Sequence, residues 1–173
     1  MWQRRHPITE HIPRLRRFAR ALTGDAARAD DLVQDTLERA LKKFALWRHG
    51  SDLRAWLFTV MHNVYVNQQA ARREGAGPAW EGVSDEDVLE KLPVAPTQEK
   101  ALELRDLAAA LAQLAPEQRE VLLLVGLEGL RYEEVARVLG VPLGTVMSRL
   151  ARGRERLRRL MEGERWPSLR RVK

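Results

Sequence analysis

The chain has 173 residues, 45% of them hydrophobic and 31% charged, with no cysteine and a net charge of +6 from 30 basic against 24 acidic side chains. That apolar fraction suits one ordinary folded domain or two small helical ones and excludes a disordered tail, while the missing cysteines exclude disulfide frameworks and thiolate zinc sites. The basic balance favours a polyanionic partner, nucleic acid first. The histidines, His6, His11, His49 and His62, have no metal-ligand spacing, so neither a metal nor another cofactor is expected. The N-terminal MWQRRHPITEH lacks the apolar core of a signal peptide, and the longest apolar run, VLLLVGL from Val121 to Leu127, is too short to span a bilayer. A cytoplasmic protein with no membrane insertion is expected.

No β-branched run alternates with polar residues at period two, so an all-α fold is expected. From Pro13 to Thr23 the residues Leu15, Phe18, Ala19 and Leu22 follow the i, i+3, i+4, i+7 pattern of an amphipathic helix that Gly24 ends. A second helix, roughly Ala29 to Phe44, places Val33, Thr36, Leu37, Ala40 and Phe44 on one side and Asp31, Gln34, Asp35 and Glu38 on the other. After a break at Trp47-Arg48-His49-Gly50-Ser51, Asp52 is placed to cap a third helix with the stripe Leu53, Trp56, Leu57, Val60, Met61 and Val64. A second stripe on that helix, Phe58, His62, Tyr65 and Gln69, either exposes two aromatics or packs on another part of the chain.

From Glu74 to Glu99 the composition shifts to acidic residues with scattered glycine and proline, which reads as a tether between two domains. Beyond it, Leu104, Leu107, Ala108, Leu111 and Leu114 form a further helical stripe, and Pro116-Glu117 opens a strongly apolar helix closed by Gly129. Tyr132, Val135, Ala136 and Leu139 then define a short helix with Glu133 and Glu134 in its first turn, and Gly140 stops it. The next helix buries Val146, Leu150, Gly153, Leu157 and Leu160 and turns six arginines outward between Arg149 and Arg159. Two short helices joined by a glycine-bearing turn, the second of them basic, have the layout of a helix-turn-helix, whose second helix enters the DNA major groove.

Three segments, ADDLVQDTLERALKKF (Ala29 to Phe44), SDLRAWLFTVMHNVYVN (Ser51 to Asn67) and LAPEQREVLLLVGLEGLRYEEVARVLGVPLGTVMSRLARGRERL (Leu114 to Leu157), resemble bacterial RNA polymerase sigma factors of the extracytoplasmic-function group, in the sigma-70 family. The resemblance implies sigma region 2 over residues 1–75, a linker over 76–98 and region 4 over 99–173. It implies an alternative sigma factor, with no catalytic residues of its own, that directs promoter recognition and melting in transcription initiation. Asp31, Gln34, Asp35 and Glu38 would then dock on a coiled coil of the polymerase's largest subunit. The loop and third helix would hold a flipped base of the minus-ten element. Its candidates are Trp47, Arg48, Ser51 and Asn63; a core plug for Trp47 and a plain surface amide for Asn63 are the alternatives.

For the minus-thirty-five element the resemblance implies Thr145, Met147, Ser148, Arg149, Ala151 and Arg152, with Ser148 and Arg152 as the hydrogen-bonding readers. Arg131, Arg154 and Arg156 are expected on phosphates, and the flap of the other large subunit is the expected second polymerase contact. Members of the family are usually held by an anti-sigma factor, so one is expected here. Arg131 stands where relatives carry a small hydroxyl cap, and Gly153 where alanine is usual, at a cost of about 1 kcal/mol in helix propensity. The rival reading is a polymerase-independent helix-turn-helix regulator, which leaves the first block unexplained; a nuclease would need an acid-base or metal set that no spacing supplies.

Overall fold

The computed structural model describes residues 7–75 and 97–163. Most of the expected tether, the first six residues and the ERWPSLRRVK tail lie outside them. Among the described residues there are seven α-helices and no strand: α1 (Ile12–Thr23), α2 (Ala26–Lys43), α3 (Leu53–Glu74), α4 (Gln98–Ala112), α5 (Pro116–Gly126), α6 (Tyr132–Leu139) and α7 (Leu143–Glu162).

Side-chain caps fix where α2, α3 and α4 begin. Asp25 accepts the Arg28 N–H at 2.7 Å, so α2 starts one turn before the Ala29 its apolar pattern suggests. Asp52 caps α3 through Ala55 N–H, as expected, and Pro116 stands in the first turn of α5, where its missing N–H costs nothing. Gly24 and Gly140 end α1 and α6 in the left-handed region, at φ 68° and 64°. The last α-helical residue of α5 is Gly126; Gly129, at φ 65°, belongs to the turn after it.

α1, α2 and α3 bury Leu15, Phe18, Leu22, Val33, Thr36, Ala40, Leu57, Met61 and Val64 of the stripes read from the sequence, together with Leu32, which lies outside the predicted stripe of α2, while Leu37 and Phe44 of that stripe are only half-buried. Phe18 and Phe58 meet edge to face with ring centroids 4.9 Å apart. In the second block α7 packs across α5 and α6, burying Val146, Leu150 and Gly153. Leu157 is half-buried, and Leu160 joins Ala110 and Leu114 in a small separate cluster under α4. α4 departs from its predicted stripe, since Leu104, Leu107, Ala108 and Leu111 are only half covered and Ala110 is its buried residue.

The two blocks are in contact. α1 packs on α5 and α3 on α6, and one apolar cluster runs from Leu15 and Phe18 through to Leu124, Val135 and Val146. This overturns the option of exposed aromatics on α3: Phe58 is 1% exposed and Tyr65 4%. The stripe Phe58, His62, Tyr65 and Gln69 is the side of α3 turned toward α1 and the second block, so its aromatics are core residues.

Candidate nucleic-acid interface

Asp31, Gln34, Asp35 and Glu38 recur at i, i+3, i+4, i+7, and all four are exposed on the outer side of α2. Two of them have partners within the chain. Gln68 of α3 donates to Asp35 Oδ2 at 2.8 Å, and Lys42 lies 2.6 Å from Glu38 Oε1 and holds its carboxyl below the ordinary range. The result is a pre-oriented, negatively charged helix face whose charges remain open to a basic partner. Both intrachain contacts are at the surface and screened by solvent, so a partner can displace them readily.

The loop between α2 and α3 is built around three rings. Phe44 stacks with Trp47 at 5.5 Å and 26°, and His49 lies 5.0 Å from Trp47. Ser51 closes the turn by donating its hydroxyl to Arg48 O at 2.7 Å, and Gly50 takes φ 96° in between, a conformation that side chains resist. Trp47 is half-buried: one face packs on Phe44 while part of the ring stays at the surface. Its Nε1 is enclosed without an acceptor among the described residues. Arg48, Ser51 and Asn63 are exposed. Sequence reading passed over Phe44 and His49 as parts of this platform, because only the folded turn brings them beside Trp47.

In the second block, α6 and α7 meet at the Gly140 turn, and α7 divides its residues as its period predicts. Met147, Ser148, Ala151 and Arg152 are exposed, and Thr145 and Arg149 half-exposed. The Ser148 hydroxyl donates to Thr145 O at 3.1 Å, a weak local bond that a better acceptor can replace. The arginine face is narrower than the sequence suggests. Glu155 binds Arg158 at 3.0 Å and Arg159 at 2.9 Å, and Arg158 also pairs with Glu162, so the end of α7 is largely neutralised. Arg154 and Arg131 remain exposed and Arg156 half-exposed. Arg131 caps α6 better than its side chain alone allows, because Glu134 Oε2 accepts the Arg131 N–H at 2.8 Å and its carboxyl is held low by that bond.

The seam between the blocks holds charged residues that apolar periodicity gave no sign of. Arg119, 6% exposed, donates to Leu111 O, Ala112 O and Leu114 O at the end of α4 and, across the seam, to Leu22 O at 2.8 Å. His62 Nδ1 lies 2.8 Å from Glu120 Oε1. The side chain of Glu128 is fully enclosed, with Arg14 and Arg17 at 3.4 and 3.5 Å, and Arg54 donates to its carbonyl. Burial raises the Glu128 carboxyl above its ordinary range, and the two arginines offset that only in part. Within the apolar-looking run after Pro116, the charges of Arg119 and Glu120 were the available signal.

Residues 8–62 match the family model described as the Sigma2 domain of PhyR, and residues 104–157 match that of sigma-70 region 4. The chain is 41% identical over 157 residues to the ECF RNA polymerase sigma factor EcfG of Rhodopseudomonas palustris, spanning 91% of this chain and 84% of that one. It is 36% identical over 148 residues to the ECF sigma factor SigL of Mycobacterium tuberculosis, with 82% and 78% covered. Among solved structures, the sigma factor RpoE of Bartonella quintana, in complex with the anti-sigma factor NepR, superposes with a TM-score of 0.73 at 35% identity, covering 89% of this chain and 93% of that one.

Proposed function

Because the chain belongs to the extracytoplasmic-function group of RNA polymerase sigma factors, we propose that its two helical blocks divide the work of transcription initiation as follows. Residues 1–75 act as region 2, in which Asp31, Gln34, Asp35 and Glu38 dock on the coiled coil of the largest polymerase subunit. The ring platform of Trp47, together with Arg48, Ser51 and Asn63, receives an extruded base of the minus-ten element. Stacking on an aromatic face is worth about 1–3 kcal/mol per base, comparable to the cost of unstacking it, so capture of the base favours strand opening.

Residues 99–173 act as region 4. α7 enters the major groove with Ser148 and Arg152 at base edges, Met147 and Ala151 against apolar groups such as thymine methyls, and Thr145 and Arg149 at the groove wall. Arg131, Arg154 and Arg156 lie toward phosphates. The flap of the other large polymerase subunit is the second contact on the enzyme. In this reading the protein is an initiation factor working in the cytoplasm, and the polymerase supplies all covalent chemistry; among the described residues no helix is long and apolar enough to cross a membrane. The RpoE relative is held by an anti-sigma factor, and a partner of that class is inferred for this chain.

The observation that carries the proposal is that the acidic face of α2, the ring platform and the outer face of α7 all stay open while the two blocks are docked on each other. The test is run-off transcription with sigma-free core polymerase on fragmented genomic DNA. Discrete starts sharing two upstream elements, lost in Asp35→Arg and in Asn63→Ala, are the expected result. A folded protein that binds core polymerase but gives no starts would overturn it in favour of a polymerase-independent regulator.

A further inference from the structure

A cleft of about 210 Å³ opens where the two blocks meet, and three guanidinium groups line it: Arg28 from the first turn of α2, Arg72 near the end of α3 and Arg119 from α5. Gln69 and Thr23 add polar groups, and among the described residues no carboxylate lines it. Asp25, whose charge acts on Arg28, is engaged in capping α2 through the Arg28 N–H. Cations gathered in this way repel one another. Burial, and then Arg72, destabilise the charged form of Arg28, and burial does the same to Arg119, with Arg28 adding to it. The Nε–H of Arg28 is enclosed and has no acceptor among the described residues. A buried donor left without a partner is costly and asks for an explanation.

We propose that this cleft is a binding site for a small phosphate dianion, inorganic or terminal on a nucleotide. Volume and charge select that class. The cleft is smaller than the roughly 300–1,000 Å³ of organic-ligand pockets, yet holds several times the roughly 30 Å³ of one water. Orthophosphate or pyrophosphate fits, and a planar guanidinium suits two phosphate oxygens at once. A DNA phosphodiester carries a single charge, and no residue of α7 lines the cleft. Arg119 already directs its donors at four carbonyls, so it supplies field, whereas Arg28, Arg72 and Gln69 are placed to supply contact. Because Arg119 of the second block adds its field to a site whose contacts come from the first, a bound anion favours the docked arrangement by mass action.

The test titrates inorganic phosphate, pyrophosphate and a nucleoside diphosphate into the full chain at constant ionic strength, following the arginine Nε–Hε resonances and the melting temperature. Saturable movement of the Arg28 signal with a rise in Tm is expected. Arg72→Gln, a change at an exposed residue, should weaken it about tenfold, the worth of one charge-assisted contact. Arg152→Ala with Arg154→Ala, which strips anion binding from α7, should leave it unchanged. The nucleoside diphosphate separates a free anion from one carried on a nucleotide. Equal affinity in Arg72→Gln, loss of the signal in the α7 variant, or no saturation by about 10 mM, a binding free energy of under about 3 kcal/mol, would overturn the site.

Discussion

Replacing Arg119 by methionine keeps the length and much of the volume of the side chain while removing four hydrogen bonds. Two of the four carbonyls, Leu111 O and Ala112 O, lie at the C-terminal end of α4, where a helix runs out of donors of its own, and a third, Leu114 O, two residues beyond it; the fourth, Leu22 O, is in the last turn of α1. One guanidinium therefore satisfies the ends of two helices in different blocks. At about 1 kcal/mol net per bond, and more where a buried carbonyl is left bare, the loss is about 4 kcal/mol, lowered by about 1 kcal/mol for methionine's easier desolvation. A net loss of about 3 kcal/mol is a large share of the stability of a domain this size. Of these four bonds the one to Leu22 O crosses the seam, so about 1 kcal/mol of the loss falls on docking and the remainder on the second block. Urea denaturation read by far-UV circular dichroism measures the total, and amide exchange in α1 measures the docking share. Arg119→Lys, which keeps the charge but reaches fewer carbonyls, should fall between. A loss under about 1 kcal/mol for methionine would refute the view that this side chain caps both helices.

Further expectations concern single side chains. Arg152→Ala should cost about 1–3 kcal/mol on the preferred minus-thirty-five sequence and little on scrambled duplex, whereas Arg154→Ala should weaken both alike; competition binding with the two duplexes separates them. Glu128 has its carboxyl raised by burial, so its favourable contribution is full below the ordinary carboxylate range and is lost as pH rises through the raised value. Denaturation between about pH 4.5 and 7 should show wild type falling relative to Glu128→Gln as pH rises, and a constant gap would count against the assignment. A Cβ on Gly153 would stand 3.0 Å from Leu122 Cδ1 and 3.3 Å from Gln118 Cβ. Alanine there should be near neutral, because half-exposed Leu122 can give way and helix propensity improves by about 1 kcal/mol. Valine should lose about 1–3 kcal/mol in thermal melts.

Helix existence was legible because each stripe had a physical period, and register too except in α4, whose buried residue is Ala110 and not its predicted leucines. Leu15, Phe18 and Leu22 announce a buried face wherever the chain is cut, and Asp52 announces a start. What periodicity cannot carry is a contact between elements far apart in sequence. His62 meets Glu120 and Arg119 meets Leu22 O only because two blocks dock, and neither residue differs locally from a solvated one. The same limit applies to the stripe of Phe58 and Tyr65, which reads as an outward face of an isolated helix and becomes interior once α1 and the second block cover it. The outward faces of α2 and α7, by contrast, depend on their own helix alone, and their exposure followed directly from spacing.

The pairing of Arg158 and Arg159 with Glu155 bears on how this protein would respond to ionic strength. Arginines that neutralise DNA phosphates displace condensed counterions, and each such phosphate contributes about −0.9 to the slope of log affinity against log salt. Arginines already tied to a neighbouring carboxylate displace few. To the extent that Arg158 and Arg159 keep Glu155 as their partner, the slope for duplex binding should be shallower than the arginine content of α7 implies, by at most about 1.8. Promoter binding through this helix should therefore persist into salt concentrations at which a helix with all its arginines unpaired would already have let go.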